Sequence, residues 1–270
     1  MVLQAGEAKT STDMVITWEP LPDDFRLEDD PVDNTGQPLL AAALSDSLEA
    51  SGLIQAQMLI ATNFGICANL NGRLIIKAPD WVYIPSVLQI LPNRKSYTPN
   101  LEGDKPVVVM EFLSDIDGAE YSSRRTHPVG KWFFYEQILQ VPIYVIFDPD
   151  GGLVEFHELE NGRYELKQPD ENGRNWVVSM GLFLGTWQGT KLGRTGYWLR
   201  WWDEAGNLLP WAVEKADQES QRANQESQRA DQESQRANQE SQRAEQERQQ
   251  KERLIAYLQS QGIDPDNLPI

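Results

Sequence analysis

Three consecutive stretches constrain the fold more than anything else in the chain: PVVVMEFL at 106–113, KWFFYEQILQ at 131–140 and IYVIFDP at 143–149. The first is a continuous apolar run of strand length, the pattern of a strand covered on both faces. The second mixes aromatic and long side chains, as a helix packed on a sheet does. Val141-Pro142 ends it, because proline disfavours helical backbone in the preceding residue. The third returns as a strand. Strand, helix and strand in this order call for a crossover, so the spacing predicts an α/β arrangement with residues 106–113 at the centre of the core.

The flanking segments extend that scheme. In QPLLAAALSDSLEASG, Leu40, Leu44 and Leu48 recur at helical spacing and Gly52 stands where the helix should end. The runs QMLIAT, FGICANL and GRLIIKA follow, the last two joined by Asn71-Gly72, a tight hairpin turn. DWVYIP then alternates with a period of two and closes on Pro85, and the whole block reads as one sheet. LPNRKSYTPNLEGDK is a loop on its turn residues. LVEFHELE and RYELKQ, punctuated by DPDGG and ENGR, form a second hairpin that extends the sheet or caps its edge. Trp187, Trp198, Trp201, Trp202 and Trp211 crowd the end of this region. They could form a base-stacking platform; packing over a core edge is the stronger reading, since large aromatics dominate core burial.

Of the 270 residues, 40% are hydrophobic, enough for one sizeable core and a second small unit. No run is long enough to cross a bilayer, and the start MVLQAGEAKTSTDM lacks the features of an export signal. A cytoplasmic, membrane-free protein is expected. The formal charge of −17 repels polyanions, so any nucleic-acid partner needs a local exception. Part of that charge lies in LPDDFRLEDDPVDNTG, an acidic arm within residues 1–36. Cys67 has no disulfide partner and apolar neighbours, which suits a buried inert thiol. Two histidines on separate segments exclude a structural zinc site on ligand count.

From Ala216 the composition changes to a seven-residue repeat, ADQESQR and its variants, with alanine at 216, 223, 230, 237 and 244. One small apolar position per heptad cannot make a strong coiled-coil seam, which needs two large ones. A solvated single helix braced by charges three and four residues apart, and an alanine-lined weak coiled coil or spacer, remain equally open. The expected organisation is an acidic arm at 1–36, an α/β domain at 37–213, a heptad-repeat helix at 214–253 and a tail at 254–270. Leu254, Ile255 and Leu258 give that last part a small apolar face, a candidate contact for a protein partner.

Three charges stand where packing does not require them. Asp80 opens a predicted strand, Glu111 lies inside VVVMEFL and Lys131 opens the following helix. An ionised carboxylate inside an apolar strand is costly unless it is paired or binds a cation. Two acidic ligands on neighbouring strands suffice for magnesium, which keeps several waters. A nearby lysine could orient a water and offset phosphate charge. The alternative is an ordinary Glu111–Lys131 ion pair, with Asp80 capping the turn after Pro79. Arg124, Arg125 and His127 on the intervening loop could contact phosphate or simply face solvent.

In order, KAPDWVYIP, VVVMEFLS and GKWFFYEQILQVPIYVIFDP resemble the Uma-type family of the PD-(D/E)XK nuclease superfamily, restriction-endonuclease-like proteins abundant in cyanobacteria. The resemblance runs from about Gln37 to Trp187. It places the family's proline-aspartate on Pro79-Asp80, its strand end on Glu111 to Ser114, its helix lysine on Lys131, the following tyrosine on Tyr135 and a structural Asp-Pro on Asp148-Pro149. Two departures stand out. The superfamily's lysine two residues after the acid is replaced by Leu113, so that role passes to Lys131, and a common Ser-Pro pair is here Ser114-Asp115. The resemblance implies a restriction-endonuclease-like core with a mixed sheet between helices, and Mg²⁺- or Mn²⁺-dependent hydrolysis of DNA; a homodimer would let two sites address the two strands. Asp80 and Glu111 would hold the metal, Lys131 would assist the attacking water, and Arg124, Arg125 and Tyr135 would meet substrate. An inactive nuclease fold serving as a scaffold with a helical tail is the competing expectation.

Overall fold

The computed structural model describes residues 8–10, 14–19, 35–113 and 118–262. The chain divides into two compact units, Met1–Ala212 and Val213–Ile270. In the first, a six-stranded sheet is built from β3 (Leu59–Ala61), β6 (Trp81–Ile84), β8 (Val108–Phe112), β9 (Ile143–Asp148), β10 (Leu153–Glu160) and β11 (Arg163–Lys167), in the order β11-β10-β9-β8-β6-β3. β8 and β9 are parallel, Val108 facing Ile143, and the other neighbours are antiparallel. The crossover between them carries α2, a turn of α-helix at Lys131–Phe133 that continues as a π-helix at Phe134–Leu139. The expected strand–helix–strand unit is therefore present, within a mixed α/β fold.

The remaining elements cover the two faces of this sheet. On one side α1 (Gln37–Ala50) and the third sheet, β12 (Arg174–Val177), β13 (Leu182–Lys191) and β14 (Arg194–Trp202), share a core with Trp81, Tyr83, Val108, Met110, Phe112, Val145 and Phe147. On the other, α2 and strand β4 (Gly65–Leu70) pack on Val82, Ile84, Val109, Tyr144 and Ile146. Residues of β6 and β8 alternate between these two cores, as strand geometry demands. That is why VVVMEF is apolar without a break, and why the alternation in DWVYIP marks two buried faces instead of one wet face.

Two expectations need correction. The block from 57 to 85 is not one sheet: β4 and β5 (Arg73–Lys77) belong to a second sheet, with β1 (Ala8–Thr10) and β2 (Met14–Thr17), whereas β3 and β6 join the central one. Local periodicity cannot tell which neighbour a strand will choose. The loop at 91–105 also contains a two-residue strand, β7 (Ser96–Tyr97), parallel to β4, with the Tyr97 hydroxyl donating to the Asp104 carbonyl at 2.6 Å. The Asn71-Gly72 turn is as expected, both residues having positive φ, 53° and 76°.

The tryptophans pack. Trp198, Trp201 and Trp211 are buried, and the indole N–H groups of Trp201 and Trp211 donate to Leu44 O at 3.2 Å and Ala43 O at 2.9 Å, tying the third sheet to α1. The Arg200 guanidinium, also buried, lies 3.4 Å from the Trp211 ring centroid and donates to Leu209 O. No stacking platform is left open by these rings.

Cys67 is fully buried in β4, and burial pushes its thiol up to about 11, against the smaller opposing effect of a hydrogen bond with Ser96. At pH 8 the thiolate fraction is then about one part in a thousand. The native protein should react with a thiol-specific disulfide reagent only after unfolding, with one equivalent of thiol appearing in denaturant. Stoichiometric labelling at pH 8 without denaturant would contradict this.

The second unit holds most of α3 (Ala212–Ser260), 49 residues with no buried side chain. Arg248 sits between Glu245 at 3.1 Å and Glu252 at 3.8 Å, one instance of the expected bracing along the helix. Leu254 and Tyr257 are exposed. No helix among the described residues is long and apolar enough to cross a membrane. Most of the acidic arm, Ser114, Asp115 and the last eight residues lie outside the described residues.

Candidate active site

Strand register brings the two carboxylates together. β6 and β8 pair with Trp81 opposite Met110 and Val82 opposite Val109, and one step further along that ladder Asp80 falls opposite Glu111. Directly opposed residues on an antiparallel pair project to the same face. By the alternation described above this is the face that α2 covers. Asp80 Oδ2 accepts from the Phe112 backbone N–H at 2.6 Å, which fixes the end of β8 to the start of β6.

Glu111 is wholly buried and both its oxygens are engaged. Oε2 accepts from Lys131 Nζ at 2.9 Å and Oε1 accepts from the Tyr135 hydroxyl at 2.9 Å. Lys131 and Tyr135 are four residues apart on α2, so they share one face of it and approach the carboxylate together. The lysine side chain is 24% exposed, and Asp80 is likewise only partly buried. Tyr135 is completely buried, so its hydroxyl orients Glu111 and does not offer a surface to substrate.

Burial raises the Glu111 carboxyl to about 8; Lys131 opposes that shift and Asp80 adds to it. For Lys131 burial works against the charged form, but Glu111, with help from Asp80 and Glu120, outweighs it and the ammonium is raised. The lysine is therefore held as a cation, while the glutamate is held where its charge is expensive. Such a carboxylate favours any additional positive charge that can reach it.

The donor set fits a hard cation. Glu111 stands on β8 and Asp80 immediately before β6, and carboxylate oxygens are the ligands a hard cation prefers. Beside Asp80 is a cavity of about 90 Å³ lined also by Gln37, Pro38 and Ala41 of α1 and by Thr62 and Asn63; Glu111 and Lys131 do not line it. Mg²⁺ keeps several waters of its own, so it needs few protein ligands. Among the described residues no group of three or more His, Cys, Asp or Glu side chains could hold a metal ion. A cation here would rest on two carboxylates and water.

The other candidates lie outside this cluster. Arg124, Arg125 and His127 are exposed on the loop before α2; Arg124 Nε donates to Thr126 Oγ1 at 3.3 Å, and the Arg125 guanidinium lies 5.7 Å from the Phe133 ring centroid. Asp148 serves the turn after β9, accepting from the N–H groups of Asp150 and Gly151 at 3.0 Å. Two residues were not singled out by sequence. Gln37, buried at the start of α1, donates to the Phe112 carbonyl at 2.8 Å and so ties α1 to the same strand end as Asp80. Glu120, in the 3₁₀ turn Gly118–Tyr121, is buried, and its Oε2 has no hydrogen-bond partner among the described residues. Nothing in the polar stretch DGAEYSS marks Glu120 as enclosed.

A mixed sheet with a parallel β8–β9 pair, a helical crossover, and an acidic pair at adjoining strand ends define a restriction-endonuclease-like core. A family model, Uma2, described as "Putative restriction endonuclease", matches residues 31–191, more than half of the chain, and the protein belongs to that family. No curated protein matches the chain.

Proposed function

We propose that this protein is a divalent-cation-dependent endonuclease that hydrolyses DNA phosphodiester bonds at the Asp80–Glu111–Lys131 site. The observation that carries the reading is the convergence of Asp80, Glu111 and Lys131 from three separate segments, with a fully buried glutamate at the centre. Asp80 and Glu111 would hold Mg²⁺ or Mn²⁺. The bound cation would activate water and polarise the phosphoryl group.

The chain's own residues would do the rest. Tyr135 holds Glu111 in one rotamer, and the Phe112 N–H does the same for Asp80, so the two carboxylates are set before any ligand arrives. Lys131, whose side chain is partly open, orients the attacking water and offsets negative charge on the phosphate as it develops. Arg124 and Arg125 are free to contact the DNA backbone from the rim. They are needed there, because a formal charge of −17 opposes the phosphate neutralisation on which general DNA affinity depends.

A second reading, an inactive nuclease fold acting as a scaffold, is favoured by that charge and by the 49-residue helix with no buried side chain. Supercoiled plasmid at low salt separates the two. Nicking or linearisation that requires Mg²⁺ or Mn²⁺ and stops with chelator is the expected result. A folded wild-type protein that leaves plasmid, linear duplex and single strands intact with either cation would favour the scaffold.

A further inference from the structure

Glu120 is a buried carboxylate that the proposed chemistry leaves unused. Its Oε2 is enclosed and lacks a hydrogen-bond partner among the described residues, a costly arrangement for a charged group unless a partner can come to it. Two contacts fix its segment, and the second of them is next to Lys131. The Tyr144 hydroxyl, itself buried, donates to the Glu120 carbonyl at 2.9 Å. Two residues on, the Ser122 carbonyl meets Gly130 so closely that a Cβ at Gly130 would lie 1.9 Å from its oxygen. Gly130 immediately precedes Lys131, so this approach locks the lysine's backbone to the Glu120 turn. The charge of Glu120 also adds to the field that stabilises the Lys131 ammonium, although the ammonium's ion-pair contact is with Glu111.

Resting on the reading of Asp80 and Glu111 as cation ligands, we infer that Glu120 is a positioning residue: the second station of the Lys131 ammonium, which accepts it when a divalent cation occupies Glu111. The physical reason is charge. An ammonium 2.9 Å from Glu111 Oε2 cannot keep that place beside a doubly charged cation without strong repulsion. Lys131 has a flexible stem and a partly open position, and Glu120 Oε2 has no hydrogen-bond donor among the described residues. In this second place Lys131 remains beside the site, able to face water and phosphate, while Glu111 turns its charge to the cation. No proton or covalent bond is exchanged.

The test is a double-mutant cycle on Mn²⁺ binding, measured by calorimetry with the full-length chain. Glu120→Gln should weaken Mn²⁺ about tenfold or more when Lys131 is present, and no more than about twofold in a Lys131→Met background, where there is no ammonium to relocate. Equal losses in both backgrounds would reduce Glu120 to a remote negative charge and overturn the inference, as would no loss in either. Wild-type protein that binds neither Mn²⁺ nor Mg²⁺ would overturn the cation reading and this inference together. A readout that needs no Glu120 variant is the ¹⁵Nζ lysine resonance missing from the Lys131→Met spectrum. It should move on Mg²⁺ addition to wild type, and an unmoved signal with Mg²⁺ bound would be decisive against relocation.

Discussion

Glu111→Gln protein is expected to melt close to wild type and to cut plasmid at least about 10²–10³ times more slowly under the same divalent cation. Glutamine keeps the shape of the side chain and an acceptor oxygen, but not the charge that the proposed site places in an apolar strand. In wild type that charge is opposed by burial and supported by Lys131 Nζ at 2.9 Å. Removing it relieves a desolvation cost while releasing a lysine that is 24% exposed and can hydrate, so stability changes little. Activity should not be spared in the same way, because one of two cation ligands is gone. Asp80→Asn and Lys131→Met should show the same separation between melting temperature and cleavage. Wild-type cleavage by folded Glu111→Gln would place the chemistry elsewhere in the molecule.

Trp201→Ala should give the largest loss of stability, about 3–5 kcal/mol by denaturant titration, with a correspondingly lower melting temperature. Trp201 is completely buried in β14, lies with its ring centroid 5.9 Å from that of Trp81 of the central sheet at a tilt of 50°, and donates its indole N–H to Leu44 O of α1 at 3.2 Å. Truncation therefore opens a cavity among three layers and leaves a helix carbonyl without that donor. The effect should reach the site. Trp81 follows Asp80 directly, and α1 carries Gln37, which holds the Phe112 carbonyl. Cleavage should fall even at temperatures where the variant remains folded, whereas a tryptophan serving as a stacking platform would lower DNA affinity and spare stability. A loss below about 1 kcal/mol would contradict the packing described for this ring.

Much of the architecture is local and could be read directly. The apolar run at 106–113, the leucines of α1, the Asn71-Gly72 turn and the crossover segment each report backbone preferences within a few residues, and each element formed. Asp80, Glu111 and Lys131 stood out because charge at those places in apolar segments is costly. Tyr135 came only from the family resemblance, and its burial against Glu111 was not legible. The π-helical form of α2 was not legible either. It runs over Phe134–Leu139, and π-helical turns are frequent near functional sites.

The sequence by itself determined which segments become strands and helices, because side-chain period, turn residues and desolvation cost act over short spans of chain. Only the tertiary structure decided that β4 and β6 join different sheets, that Asp80 holds the Phe112 N–H, 32 residues away, and that Tyr135 and Lys131 grip opposite oxygens of one glutamate. It also buried Glu120 in a turn whose Ser122 carbonyl lies against Gly130, the residue before Lys131. These contacts depend on strand register and layer packing, which are settled by the whole core at once and leave no mark on the local pattern.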